Sequence, residues 1–269
     1  MQEQGSILGY TLIIIMIVAM LAVSLLGIVK KQNITAVYYQ ENIENYYLIE
    51  AAVIKAKTEV REKLESEEHN NWRRSDLENF NYSGQLIVNQ LLDEKQVIIN
   101  YDLEKIRSEN GKANINLLPP HRLRKLPGIG TSLSTRIYQK RIKQSFVANE
   151  ELKSIQGVGE KKYEKLNSLL TSNDIKKINI NTATCDVLTT LEGIDITTAS
   201  NIISYRQANG PFTKKNDLKN VSGVGIVTYQ NLVSEITTKS KLMQLKFSIY
   251  SNDRDIETEV TALIRVGVD

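Results

Sequence analysis

From residue 6 to residue 29 the chain (SILGYTLIIIMIVAMLAVSLLGIV) carries no charged side chain. As a helix at about 1.5 Å per residue this run spans about 36 Å, enough to cross a bilayer core of about 30 Å. Lys30 and Lys31 end the run, but the helical pattern continues. Between Gly27 and Gly84 there is no glycine and no proline, the two strongest helix breakers. Tyr46, Ile49, Val53, Ala56, Val60 and Leu64 recur at spacings of three and four, one apolar stripe on a helix. The pattern predicts a single helix from about residue 6 to about 66, half of it lipid-embedded and half amphipathic.

The period then changes from 3.6 to 2. In VIINYDL (97–103), Val97, Ile99, Tyr101 and Leu103 share one face, and residues 86–92 are a candidate partner strand. At the far end Met243, Leu245, Phe247 and Ile249 alternate with polar residues. SNDRD (251–255) reads as a turn, and Ile256, Val260, Ala262, Ile264 and Val266 form the next apolar face, a β-hairpin by pattern. Strands therefore flank whatever lies between residues 111 and 240. Asn110-Gly111 marks the exit from the first strands, and Pro119-Pro120 is expected to block continuation of regular structure.

The intervening stretch is a tandem repeat. NIN (114–116), LPGIG (126–130), Phe146 and IQGVG (155–159) are followed in the same order by NIN (179–181), LEGID (191–195), Phe212 and VSGVG (221–225). A Gly-x-Gly turn between two helices is the helix-hairpin-helix signature, found both in nucleic-acid contacts and as a scaffold. The expected fold class is α+β: a long amino-terminal helix packed on an antiparallel sheet, with an inserted α-helical domain of two tandem helix-hairpin-helix pairs. The expected divisions are a short leader (1–5), a membrane helix (6–29), the helix continuation with the first strands (30–110), the insert (111–240, repeats 112–177 and 178–240) and a closing hairpin (241–269).

Charge separates the two repeats. Residues 112–177 hold 14 Lys and Arg against 5 Asp and Glu, a net of +9; residues 178–240 are balanced at 5 against 5; residues 30–110 hold 11 against 15. A basic patch is the electrostatic footprint of phosphate binding, although a Lys-rich solvated helix surface gives the same count. Cys185 is the single cysteine, so no internal disulfide forms. His69 and His121 are isolated, no Cys/His cluster has metal-ligand spacing, and no nucleophile motif is present. No catalytic constellation and no cofactor is expected. The acidic stretch SNDRDIETE offers carboxylates for Ca²⁺, but without a recognised ligand spacing.

Within the basic repeat, Gly128, Gly130, Gly157 and Gly159 would let the chain turn and approach a phosphate, whose oxygen the amides of the following helix would hold. Lys125, Arg136, Lys161 and Lys162 lie close by in sequence. Gly223 and Gly225 fit the same role in the second repeat. In the third hairpin Asp195 stands where a glycine is expected; its carboxylate would repel phosphate, and the backbone would be strained if φ there were positive. The same turns equally suit a compact scaffold, with Ile129, Val158, Ile194 and Val224 buried.

The amino terminus resembles a type IV prepilin. EQGSILGYTL is similar to a leader cut between Gly5 and Ser6, or alternatively between Gly9 and Tyr10, and ENYYLIEAAVIKA (44–56) resembles the second half of the pilin helix. The leader lacks the usual basic residue. The Glu that the family carries at the fifth mature position is Tyr10 or Ile14 here. In pilins that Glu is understood to pair with the amine of the preceding subunit within the bilayer, where an unpaired carboxylate is expensive. A tip subunit has no predecessor and needs no such Glu.

SENGKANIN (108–116), the second ININ (178–181), the helical insert and the closing hairpin together resemble the type II secretion protein K family of GspK-like minor pseudopilins. The resemblance implies a pilin-like sheet interrupted by a helical domain, a place at the tip of a pseudopilus, and a role in starting assembly. The implied partners are other minor pseudopilins, the inner-membrane assembly platform, the prepilin peptidase and membrane lipid. It also implies a single-pass protein of the inner or cell membrane with its globular part outside. INTATCDVLTTLEGI with YRQANGPF and DLKNVSGVG resembles ComEA-type competence receptors, which would make duplex DNA the partner; those receptors normally end at the hairpins, and here two strands follow.

Overall fold

A computed structural model of the chain describes residues 2–66, 71–89 and 96–267, with side chains from residue 11 onward. His69 and residues 90–92 of the expected partner strand lie outside the described residues, as do the side chains at both candidate cleavage points. The chain divides into two compact units, Met1–Ala51 and Ala52–Asp269.

The first unit is the leading part of helix α1 (Gln2–Ser66), whose side chains from Leu12 to Val29 are exposed hydrophobics. It is the one helix among the described residues long and apolar enough to cross a membrane. Tyr46, expected on the buried stripe, is 64% exposed.

The second unit begins with the end of α1, where Ala52, Ala56, Val60 and Leu64 are fully buried at a strict spacing of four. The stripe therefore starts on Ala52 rather than Tyr46, and Val53 is only half-buried. Alanines carry little hydrophobic signal but let a helix lie close to its neighbour. The unit continues through α2 (Arg74–Glu78), β1 (Ser83–Asn89), β2 (Gln96–Ser108), a 3-10 turn (Glu109–Gly111), β3 (Ala113–Asn114), α3 (Pro120–Leu123), α4 (Thr131–Lys143), α5 (Glu160–Asn167) and β4 (Leu170–Thr171). The second repeat supplies β5 (Ile178–Asn179), α6 (Cys185–Leu188), α7 (Ile196–Asn209), α8 (Ile226–Leu232) and β6 (Ile236–Thr237), followed by β7 (Leu242–Ser251) and β8 (Ile256–Arg265). No regular element runs through Pro119-Pro120. Pro120 opens α3, where its missing N–H would have had no partner anyway, and exposed His121 rides on that helix.

The sheet is antiparallel in the order β1-β2-β7-β8, so the helical insert separates two strands that are neighbours. Val97, Ile99, Tyr101 and Leu103 are buried as their alternation predicts. A bulge between Leu103 and Lys105 then shifts the phase, so that Ile106 and Ser108 continue the inner face. Met243, Leu245, Phe247 and Ile249 of β7 complete that face. The Tyr82 and Tyr101 hydroxyls both donate to Oε2 of Glu59, tying α1 to the sheet. Gly84 pairs with Tyr101, whose ring occupies the place of a side chain at residue 84.

The point where the insert leaves and rejoins the sheet is stitched. Oδ1 of Asn110 accepts the amides of Lys241 (2.9 Å) and Leu242 (3.1 Å), and the Ser108 and Ser240 hydroxyls bond to each other. Glu109 is buried, with one oxygen 2.6 Å from Lys112 Nζ and the other accepting from Thr171 (2.6 Å) and Asn173 (2.9 Å). The acidic-Gly-Lys stretch at the strand end is thus a buried and paired hinge. Each repeat also closes on itself, β3 pairing parallel with β4 and β5 parallel with β6.

Candidate nucleic-acid interface

The two Asn-Ile-Asn motifs organise the repeats. In the first, Asn116 Oδ1 accepts the Phe146 amide (2.8 Å) and its Nδ2 donates to the Phe146 carbonyl (2.9 Å). In the second, Asn181 does the same to Phe212 at 2.8 and 3.0 Å. Arg141 donates to the carbonyls of Ile115 (3.0 Å) and Leu118 (2.6 Å), and Arg206 to those of Ile180 and Ala183. Burial, and then the charge of Arg74, pull the Arg206 guanidinium down to about 10. Asn116 and Asn181 close the repeated Asn-Ile-Asn motifs, and Arg141 and Arg206 recur at the same offset, but nothing in the sequence shows that their partners are backbone groups. They are internal staples and touch no hairpin surface.

Ile129, Val158, Ile194 and Val224 are buried at the hairpin turns, in a core that runs through both repeats. The first glycine of each turn, Gly128, Gly157, Gly193 and Gly223, has positive φ. The second glycine has an ordinary backbone: Gly130, Gly159 and Gly225 are helix N-caps with φ of −86°, −85° and −77°. Conformation does not require glycine at these three positions. What they share is open space, since a Cβ added to any of them would meet nothing within 4 Å. None of the three helix starts has a side-chain cap, so amides of the first turn remain available to an outside acceptor.

Asp195 corrects the expectation of strain. Its φ is −96°, and its carboxylate caps α7 by accepting the Thr198 amide at 2.7 Å, which holds the Asp195 carboxyl below its usual range. The third hairpin has filled its own anion position. In the second hairpin Glu160 opens α5 but is drawn off by Lys153 (2.8 Å).

The structure divides the basic residues expected at the interface. Arg136 Nη1 donates to the Gln156 carbonyl (2.7 Å) and lies against Gly157, and Lys125 Nζ donates to the Leu191 carbonyl (3.3 Å), joining the repeats. Their partners here are carbonyls and not carboxylates. Lys162 lies over Gly128 and Lys161 is exposed. Hairpins one and two are thus adjacent, each crossed by a cation from the other. Gly193 and Gly223 are paired in the same way by Thr228 and Thr198, without charge. Exposed Ile196, Ile226 and Val227 stand where the first repeat has Thr131, Glu160 and Lys161. The acidic stretch 251–259 is engaged elsewhere. Among the described residues no group of three or more potential ligands converges, Asp253 accepts the Ile98 amide and Glu259 pairs with Lys246.

Comparison with known proteins agrees with both halves of this architecture. The helix-hairpin-helix motif family matches residues 108–171 and again 173–237. Endonuclease/exonuclease/phosphatase family domain-containing protein 1 of Bos taurus is 39% identical over 84 residues, 31% of this chain and 15% of that protein; the Homo sapiens protein gives the same values. ComE operon protein 1 of Bacillus subtilis (strain 168) is 40% identical over 62 residues, 23% of this chain and 30% of that protein. The chain therefore spans less than a third of the length of these relatives. A chain in the crystal structure of the GspK-GspI-GspJ complex from the enterotoxigenic Escherichia coli type 2 secretion system matches with a TM-score of 0.58 at 16% identity, over 85% of this chain and 93% of that one. Two helix-hairpin-helix motifs are thus set, as an insert, into the pilin-like α+β fold found in that secretion complex.

Proposed function

We propose that this protein is a non-catalytic minor pseudopilin at the tip of a type II secretion pseudopilus or a type IV pilus, where it helps initiate assembly and export. The observation that carries the reading is the extent of the fold likeness, which covers 85% of this chain and 93% of the matched chain. That chain belongs to a complex of three such proteins, so the expected partners are other minor pseudopilins, with the assembly platform and prepilin peptidase acting on the membrane-spanning part of α1. The protein would be single-pass in the inner or cell membrane, with the sheet and insert in the periplasm or outside the membrane. Co-expression with a prepilin peptidase and companion minor pseudopilins tests this. A mature start at Ser6 or Tyr10 and co-purification of a stable complex are expected; an intact Met1 with no complex overturns it.

A second reading, a membrane-anchored receptor for duplex DNA, is favoured by the two uncapped helix starts at Gly130 and Gly159 within the +9 repeat. It assigns phosphate contacts to Gly128, Gly130, Gly157, Gly159, Lys161 and Lys162, with weaker roles for Lys125, Arg136, Gly223 and Gly225. It requires duplex binding that weakens steeply with salt and falls further in a K161Q/K162Q variant. Binding that is absent, or insensitive to salt, excludes it.

A further inference from the structure

A cavity of about 100 Å³ lies between α2, the end of β2, the turn after it and the start of the second repeat. It belongs to neither hairpin surface. Arg74, Lys105, Arg107 and Lys112 line it, against the single carboxylate of Glu78. Arg74 is paired with Glu78 and Lys112 with Glu109, while Lys105 and Arg107 have no ion pair among the described residues. The wall therefore carries net positive charge. Arg206, behind the wall, adds to it by holding the carbonyls of Ile180 and Ala183 on either side of Thr182.

Thr182 also lines the cavity. The residue is 6% exposed, and its hydroxyl has no hydrogen-bond partner. A buried hydroxyl left unpaired is unfavourable, so such a group calls for a ligand. Gly111 makes the room: a Cβ there would stand 2.9 Å from the Thr182 hydroxyl. On this measure a single water needs about 10–15 Å³, so the cavity has room for a small tetrahedral ion. We propose that this cavity binds a free phosphate-sized oxyanion, with the Thr182 hydroxyl donating to one oxygen and Arg107 and Lys105 supplying the charge. A bound ion would bridge the sheet end and the second repeat beside the stitched hinge.

The test is thermal unfolding of the full chain in detergent, titrated with inorganic phosphate against chloride at constant ionic strength. Phosphate at about 100 times its dissociation constant is expected to raise Tm by several degrees through mass action. Thr182→Val should unfold no earlier than wild type in chloride, because it removes an unpaired buried hydroxyl, and should lose the phosphate-dependent rise. Arg107→Gln should also lose most of the rise, whereas Lys143→Gln, exposed at the end of α4 and away from the cavity, should keep it. General salting-out by phosphate would act equally on every variant. No rise at 10 mM phosphate, or an equal rise in both T182V and R107Q, overturns the proposal; if T182V fails to fold, R107Q against K143Q decides.

Discussion

Asn181 holds both main-chain polar groups of Phe212, accepting its amide at 2.8 Å and donating to its carbonyl at 3.0 Å, and its Nδ2 also reaches the Thr238 carbonyl at 2.9 Å. Truncating Asn181 to Ala strands three buried backbone groups at once. The expected loss is about 3 kcal/mol or more, against about 1–2 kcal/mol for Asn116→Ala, whose surroundings admit water. Urea unfolding of the two variants, followed by far-UV circular dichroism, checks the order; equal losses would mean that burial around Phe212 does not matter.

Glu151 gives the first repeat an acid-sensitive joint. Lys140 and the amides of Val147 and Ala148 donate to it, which holds its carboxyl down to about 2. A folded-state pKa depressed below the unfolded value stabilises the fold above about 4.5, and the contribution disappears as pH falls through about 2. Asp217 occupies the equivalent place and is also lowered, by the Lys214 amide first. Glu151→Gln should flatten the acid limb of the stability profile between pH 4.5 and 2, measured by Tm against pH; an unchanged slope would remove Glu151 from the account.

The alkaline limb runs through Glu59. Burial, followed by the hydrogen bond to Glu59, pushes the Tyr82 hydroxyl up to about 12 and Tyr101 higher still. Here the folded pKa is raised, so the stabilisation is complete below about 10 and is lost as pH rises through about 12. Replacing Glu59 with Gln should shift tyrosinate absorbance at 295 nm to lower pH. A titration identical to wild type would contradict the shared acceptor.

Gly84 and Gly128 should respond differently to alanine. At Gly84 a Cβ would fall 2.5 Å from the Tyr101 ring and must displace it from Glu59. At Gly128 only the Lys162 stem is within 4 Å, so the penalty is the backbone at φ +81°, about 1 kcal/mol. Calorimetry of the two variants should show the larger loss for G84A, together with altered tyrosine fluorescence.

Much of this was legible because periodicity reports burial. The alternation from Val97 to Leu103 and from Met243 to Ile249 located two central strands, and the repeated turns placed the insert. The phase of α1 does not follow from Tyr46, because Ala52 and Ala56 contribute closeness rather than hydrophobicity. Arg136 and Lys125 read as surface charge, yet both spend donors on carbonyls that only the fold brings near. Polar residues such as Asn181 and Arg206 look soluble in sequence and are buried in fact, since their partners are backbone groups that sequence does not display.

A chain ending at residue 240 would lose β7, which pairs with β2 on one side and β8 on the other. Residues 112–240 keep their own core and both parallel pairings. Hydrogen exchange should then show β1 and β2 unprotected and α4 and α7 still protected; protection lost throughout would make the insert dependent on the sheet.

The stitching of Asn110 to Lys241 and Leu242 makes the insert a loop in the polymer sense. Seen from the sheet, two antiparallel neighbours are joined across a gap that a short turn could bridge. Closure entropy grows only with the logarithm of loop length, about 0.6 kcal/mol per doubling, so the strands bear little burden from what hangs between them. The helical cargo could therefore be lengthened, exchanged or doubled without moving the register of β2 on β7. The two repeats, each shut by its own strand pair, look like the product of one such duplication.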